Sequence, residues 1–379
     1  MILPAQRDLF DIPRDVCYVN ASYMTPLSRA QVTAGEQALQ LSSQPWRIGA
    51  DDFFNTAADV CAAGAALMRA KADDVAIVPS ASYGISTAAK NLPVSAGGKV
   101  LVMAEEFPSN VYPWQESAKA AGGEVLAVPQ PSDDDWTSAI LEVMEREGEA
   151  IDIVSVANVH WSSGAVVDLV AVSAACKRAG AALVLDLSQS LGAMPIDIPA
   201  IDPDFMVAAG YKWLLGPYSI SLMYVAPRHH GGVPIEAGWI TREGSRNFAN
   251  LVNYRDGFEP GARRFDMGER ANHVLAPIFL EGLNQLLGWG VENIYESLGA
   301  ITGRMAAVLA ARGMEPIASE RRAAHILGVR VGDKGPALEA TLKDAGVSVS
   351  LRGDLLRLSP HLWVDGEDED RFNKVVAAL

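Results

Sequence analysis

Apolar and polar positions alternate in blocks along the first two thirds of the chain. Between about residues 70 and 226, short runs are almost uniformly apolar: Val75–Pro79, Val100–Ala104, Glu124–Val128, Ile151–Ala157, Ala182–Asp186, Phe205–Ala208 and Ser221–Val225. Amphipathic stretches separate several of them. Asp168–Arg178 has apolar residues at i, i+3 and i+4, the mark of a helix with one buried face, and Gly180 stands where it would stop. Strands apolar on both faces, joined by helices, predict a mostly parallel sheet with helices on both faces. The expected class is α/β.

The pattern changes at Gly257–Arg270, a stretch rich in glycine and charge. Beyond it the periodicity predicts a helix over Asn272–Leu287 and helical structure over Val291–Ala311. Strands follow around Ala324–Val331, Val347–Leu351 and Leu355–Ser359. We expect a large α/β domain over residues 15–265 and a smaller α+β C-terminal domain over 266–379, with residues 1–14 draped over it.

Composition narrows the function. The 379 residues are enough for two domains, and 49% of them are apolar, which can bury a core. Lys and Arg number 31 against 46 Asp and Glu, a net charge of −15. That balance argues against nucleic acid and anionic membrane as partners. No apolar run reaches the ~18 residues of a membrane helix, and the first residues, MILPAQRDLFDIPRD, lack the apolar core of a secretion signal. Cys17, Cys61 and Cys176 are too scattered for a disulfide framework or a metal clamp. The expectation is a soluble cytoplasmic protein with a small-molecule partner and no metal.

Common catalytic motifs are absent. No GxGxxG follows a strand, the Gly98-Lys99 pair lacks the rest of a Walker A loop, and HExxH and GxSxG do not occur. His229-His230 reads as solvated loop, because adjacent residues do not share a helical face.

The informative stretch is Leu183–Pro217. Asp186 closes an apolar strand, so its carboxylate should emerge at the C-terminal edge of the sheet, where such folds bind ligands. Gln189 follows three residues later. Lys212 follows a second apolar run between Tyr211 and Trp213. Taken singly, these are a capping aspartate and a snorkelling lysine. Together they suit pyridoxal 5′-phosphate, which needs a lysine amine for a Schiff base and a carboxylate beside its ring nitrogen. An amine in an apolar setting also has a lowered pKa, which favours that bond.

This Asp186–Gln189 spacing followed by GYKWLLGP resembles the aminotransferase class V family of fold type I pyridoxal-phosphate enzymes. Kynureninases, cysteine desulfurases, selenocysteine lyases and isopenicillin N epimerase belong to it. The resemblance implies Lys212 as the Schiff-base lysine, Asp186 at the pyridine nitrogen and Gln189 at the phenolic oxygen. In IVPSASYGIST, Ser80, Ala81 and Ser82 look like the phosphate loop at a helix N-terminus. In EFPSNVY, Phe107 looks like the aromatic that stacks on the ring. Trp161, in VHWSSG, stands where desulfurases place an asparagine that touches the cofactor, an aromatic as in kynureninases, and Tyr211 matches the tyrosine that contacts phosphate in kynureninases. In VSLRGDLLRLSPHLW, Arg357 resembles the arginine that clamps the substrate α-carboxylate, with Arg352 the second candidate.

Two departures matter. The family's Gly-Thr-Pro segment, which reaches the partner subunit's phosphate, reads Asp266-Met267-Gly268-Glu269-Arg270-Ala271-Asn272 here. Either Arg270 or Asn272 substitutes, or the phosphate contact is lost. Desulfurases also need a mobile cysteine near the C-terminal arginine, and this chain has none beyond Cys176. The resemblance implies an enzyme acting on the α-amino group of an amino acid through an external aldimine. Aminotransferase-type chemistry comes first, and kynureninase-like or selenocysteine-lyase-like cleavage is the alternative. A degenerate amino-acid-binding member is the non-enzyme reading. The family also implies a homodimer.

Overall fold

In the computed structural model, which describes residues 1–378, the apolar runs form one seven-stranded sheet. Leu379, the last residue of the expected C-terminal domain, lies outside the described residues. The chain opens with strand β1 (Cys17–Tyr18) and helices α1 (Arg29–Ser42) and α2 (Asn55–Leu67). The large sheet comprises β2 (Val75–Val78), β3 (Lys99–Met103), β4 (Glu124–Val128), β5 (Ile151–Ala157), β6 (Ala182–Asp186), β7 (Phe205–Ala209) and β8 (Ser221–Val225). Helices α3 (Ala81–Asn91), α4 (Tyr112–Ala121), α5 (Trp136–Glu147), α6 (Leu169–Ala179) and the short α7 (Ile198–Ile201) connect most of these strands.

Spatial order in the sheet is β2-β8-β7-β6-β5-β3-β4. The strands run parallel except β8, which is antiparallel to both β7 and β2. Strands β6, β7 and β8 are buried along almost their whole length, as expected of a sheet covered on both faces. The C-terminal ends of β2, β3, β5, β6 and β7 therefore open onto one edge. Helix α6 begins one residue after the expected position. Asp168 caps it instead of joining it, accepting from Val170 and Ala171 N–H at 3.0 and 3.1 Å.

The remaining elements are α8 (Leu275–Trp289), α9 (Val291–Ala310), β9 (Glu315–Pro316), β10 (Leu327–Arg330), α10 (Gly335–Asp344), β11 (Val347–Ser348), β12 (Ser350–Arg352), β13 (Leu355–Leu358) and α11 (Gly366–Ala377). A second, antiparallel sheet runs β12-β13-β10-β9. The expected strand Val347–Leu351 is two strands because its halves face different partners: β11 pairs with β1, and β12 with β13.

Residues before Val19 are tied to this smaller unit. Arg7 is buried, pairs with Asp368 of α11 and donates to the Pro13 and Val16 carbonyls. Helix α8 instead packs on α1 and α2, while α9 packs on α11. Gln31 of α1 is fully buried and donates to the Leu215 and Ile278 carbonyls at 2.6 and 3.0 Å. We propose Gly290, between α8 and α9, as the point where the chain passes from the larger unit to the smaller.

The histidine pair departs from its sequence reading. Both side chains are partly buried: His229 stacks on Phe205 and bonds Asp204 at 2.6 Å, while His230 bonds the Val225 carbonyl at 3.1 Å. They hold the loop after β8 onto the sheet and are only partly exposed. Among the described residues, no helix is long and apolar enough to cross a membrane.

Candidate active site

The converging strand ends enclose a cavity of about 360 Å³. Its walls include Ser80, Ala81 and Ser82 after β2, Phe107 after β3, Trp161 after β5, Asp186 and Gln189 after β6, and Tyr211 and Lys212 after β7. The candidates for the lysine, carboxylate, amide, phosphate-loop and aromatic roles thus line one space, whereas Arg352, Arg357, Arg270 and Asn272 do not. Local physics explains the placement: each follows a buried parallel strand, and parallel strands deliver their C-terminal residues to the same edge.

Lys212 enters the cavity from a loop that only a glycine permits. A Cβ on Gly210 would lie 2.1 Å from the Ile220 carbonyl oxygen. The lysine backbone is held from the other side by Thr25, whose N–H donates to Tyr211 O at 3.1 Å and whose hydroxyl donates to Lys212 O at 2.8 Å. The Nζ lies 5.2 Å from the Phe107 ring centre and 5.6 Å from that of Tyr211. Burial pulls the ammonium down to about 8, against the opposing pull of Asp186.

Asp186 is 6% exposed, and its Oδ1 accepts from the Ser188 N–H at 2.9 Å. Gln189 lines the cavity, but its amide is already engaged. Nε2 donates to Ser22 O at 3.2 Å, and Oε1 accepts from the Trp213 indole N–H at 3.0 Å. One amide hydrogen remains for a ligand. Opposite, Ser80 caps α3: its Oγ accepts from Tyr83 N–H at 3.2 Å and lies 2.9 Å from the Ser82 hydroxyl. The first-turn amides of a helix have no intrahelical acceptor, so this end presents donors to an anion.

Phe107 and Trp161 meet edge to face, with centroids 5.8 Å apart. The Trp161 indole N–H donates to Glu105 O at 2.7 Å. Arg357 does not line the cavity. It sits behind Trp161, 1% exposed, with Nη1 donating to the Trp161 carbonyl at 2.6 Å and Nε buried without an acceptor. Burial, reinforced by neighbouring Arg352, lowers its pKa to about 9.

Sequence reasoning missed Glu106. It lines the cavity beside Asp186 and is 7% exposed. Its two oxygens accept from Phe107 N–H at 2.8 Å and Ala157 N–H at 3.3 Å. Burial and then Asp186 push this carboxyl up to about 7. Asp186 closes its strand, whereas Glu106 lies three residues beyond the end of β3, in the turn before Phe107.

The two residues considered for the missing Gly-Thr-Pro segment are both engaged. Arg270 is buried, paired with Asp266, which also accepts from Ile77 N–H at 2.7 Å. Asn272 Oδ1 accepts from Val274 and Leu275 N–H at the start of α8, at 3.1 and 2.8 Å. This cap is also why α8 starts at Leu275 and not at Asn272.

A parallel-sheet edge carrying a buried amine, a carboxylate three strand-ends wide of an anion cradle, and a covering aromatic defines a site for a phosphorylated pyridine aldehyde. The donor set fits: the amine is depressed toward its neutral form, and the helix end has donors to spare. Comparisons with known proteins agree. The family model for aminotransferase class-V matches residues 54–350, and the chain belongs to that family. Its cofactor is pyridoxal 5′-phosphate.

Among curated relatives, a kynureninase of Deinococcus radiodurans is 29% identical over 70% of this chain and 64% of its own length. The uncharacterized aminotransferase YcbU of Bacillus subtilis is 26% identical over 80% of this chain and 78% of its own. Among solved structures, a C-DES variant with glycine covalently linked to its PLP cofactor superposes with a TM-score of 0.85. It is 18% identical and covers 95% of this chain and 96% of that one. The fold is therefore fold type I.

Proposed function

We propose that this protein is a pyridoxal-phosphate enzyme that withdraws the Cα proton of an amino acid, with aminotransferase-type turnover as its outcome. The observation that carries the reading is Lys212, an amine buried in the cavity with its pKa lowered to about 8 beside Asp186. When bound, pyridoxal phosphate supplies the electron sink for the bond broken at Cα. The chain's residues do the rest. Ser80, Ala81 and Ser82 hold the phosphate with hydroxyls and helix-end amides, with Tyr211 beside them. Asp186 would keep a proton on the ring nitrogen, and Gln189 would offer its remaining amide hydrogen to the phenolic oxygen. Phe107 covers one ring face and excludes water. Arg357 would take the substrate carboxylate through a charge-assisted fork once the Trp161 turn that covers it shifts aside. The Lys212 amine would move the proton at Cα, as general base and then as acid.

Cleavage beyond Cβ, as in kynureninase, is the second reading, favoured by the Phe107–Trp161 aromatic pair at the substrate side. Sulfur transfer to an enzyme cysteine has no support, since Cys17, Cys61 and Cys176 are all buried and precede the C-terminal arginines. Free buried thiols suit a reducing compartment, so we place the protein in the cytoplasm. The loop after β8 exposes Trp239, Val252 and Tyr254, the last two 75% and 93% exposed. Such apolar exposure supports a homodimer.

The test is the visible spectrum of the purified protein with Lys212→Ala beside it. The wild type is expected to be yellow, to shift when its amino acid is added, and to yield a borohydride-fixed adduct on Lys212. The variant loses the adduct and about 10²–10⁴-fold in turnover. An adduct on any other residue overturns the assignment.

A further inference from the structure

Two arginines converge on one residue of the cavity wall. Arg352 ends β12 and Arg357 lies in β13, in a hairpin where Arg352 faces Leu355 and Ser350 faces Arg357. Arg357 donates to the Trp161 carbonyl, and the Arg352 guanidinium lies over the Trp161 ring, 5.8 Å from its centroid. The paired strands are pressed close to this point. Gly328, across from Arg357 on β10, would place a Cβ 2.3 Å from the Ser163 carbonyl oxygen, so the small sheet abuts the turn after Trp161.

Neither cation has a carboxylate partner among the described residues. Arg357 keeps a buried Nε without an acceptor. Arg352 uses Nη1 on its own neighbour's carbonyl, Leu351 O at 3.0 Å, which leaves its Nε–Nη2 edge open. Of the other buried arginines, Arg7 and Arg270 each face a carboxylate, and Arg322 spends its donors on the Ile317 and Ala323 carbonyls and the Thr302 hydroxyl. In a chain of net charge −15 acid partners are plentiful, yet among the described residues no ion pair reaches these two guanidiniums.

A simple amino acid does not balance this arrangement. Its amine would go to the cofactor in place of Lys212, and its one carboxylate satisfies one guanidinium fork. The second cation then remains unmatched beside the first, and both also oppose the charge on Lys212. A guanidinium held over an indole keeps its edge free for a planar, two-oxygen acceptor.

We infer that Arg352 is the specificity-determining residue of this site, and that the substrate is an amino acid whose side chain ends in a second carboxylate. The inference rests on the reading in which Arg357 takes the α-carboxylate. Arg352 binds the distal carboxylate at the cavity mouth, bidentately through Nε and Nη2, with Trp161 as the platform that keeps the guanidinium in place. Lys212 and the cofactor residues are untouched by this recognition, so it selects the substrate without altering the chemistry.

The experiment uses the cofactor-loaded protein and amine-free acids, which bind without turning over. Succinate, glutarate and adipate are titrated by calorimetry against butyrate, in wild type, Arg352→Gln and Arg352→Lys, while the visible band of each sample is recorded. At least one dicarboxylate is expected to bind wild type about tenfold or more tightly than butyrate, the worth of one charge-assisted hydrogen bond. Arg352→Gln should bring that dicarboxylate to the butyrate level and leave butyrate unchanged, and Arg352→Lys should restore part of the preference. Equal binding of mono- and dicarboxylates by wild type overturns the inference. So does a preference that survives Arg352→Gln, or an equal loss of butyrate binding, which would put Arg352 on the α-carboxylate. A wild-type protein that takes up no cofactor overturns the underlying reading instead, and the visible band separates that result from the others.

Discussion

The cavity and the far side of the fold both bury charge, but they treat it in opposite ways. Away from the cavity, Asp204 accepts from Arg228, from His229 and from the Leu183 N–H. Burial alone would raise its pKa, yet these bonds bring it down to about 2. Arg7 with Asp368 and Arg270 with Asp266 are also paired, although burial still raises the Asp368 carboxyl. Around the cavity, matching stops. Burial prevails at Lys212 and Glu106, moving both toward neutrality, and Arg352 and Arg357 have no counter-ion. Matched charges hold structure, while shifted and unmatched ones mark where a ligand completes the set. The cost of the second arrangement falls on stability, and removing a charge should therefore have opposite signs in the two regions.

The largest stability effect is expected where the charges are matched. Arg7→Met leaves Asp368 buried, 2% exposed, without its cation. Breaking a buried pair from one side costs about 3–5 kcal/mol. Urea unfolding should show a loss of that size, with the cofactor band of the folded protein unchanged. A loss below about 1 kcal/mol, the range of exposed pairs, would mean that this pair is not what holds the N-terminal residues to α11.

The same operation in the cavity should stabilise. Lys212 is 7% exposed, and its folded-state pKa is lowered from 10.5 to about 8. Below pH 8 the folded protein carries a buried ammonium that the unfolded chain would solvate, so folding is penalised in full. Between pH 8 and 10.5 the folded state has shed the proton and the unfolded state has not, so stability rises with pH. Lys212→Met in the cofactor-free protein should gain roughly 1–3 kcal/mol at pH 7. The gap to wild type should shrink as pH climbs through that window. Thermal melts at pH 7 and pH 10 decide the matter. A destabilised variant, or a gap independent of pH, would show that the amine is matched after all.

How much of this contrast the sequence revealed depends on the range of each interaction. Strands such as Ile151–Ala157 were legible because both faces are buried and every position is apolar. Asp186 and Lys212 stood out because each breaks such a pattern at a strand end. Cys17–Tyr18 was not legible as a strand: it is two residues long, and its partner Val347–Ser348 lies at the other end of the chain. Glu106 escaped notice for a related reason. A glutamate beside a turn reads as solvated, and its burial arises only when β3 and β5 come together and the Ala157 amide reaches its carboxyl. The engagement of Gln189 by Ser22 and Trp213, and of Lys212 by Thr25, likewise depends on contacts that no local pattern encodes.

Asn272 lies where the two regions are hardest to tell apart, and the smallest effect is expected there. The family's place for a phosphate contact across the subunit interface falls on this segment, yet Asn272 accepts from two amides at the start of α8. A side chain whose oxygen is engaged in this way serves the helix. Asn272→Ala should cost about 1 kcal/mol, as lost N-caps do, with pyridoxal-phosphate affinity unchanged when the cofactor is titrated into apo-protein and followed by its visible band. If affinity falls while stability holds, Asn272 belongs with the unmatched groups of the cavity. The phosphate would then draw on the partner subunit through an amide, in place of the hydroxyl that this segment lacks.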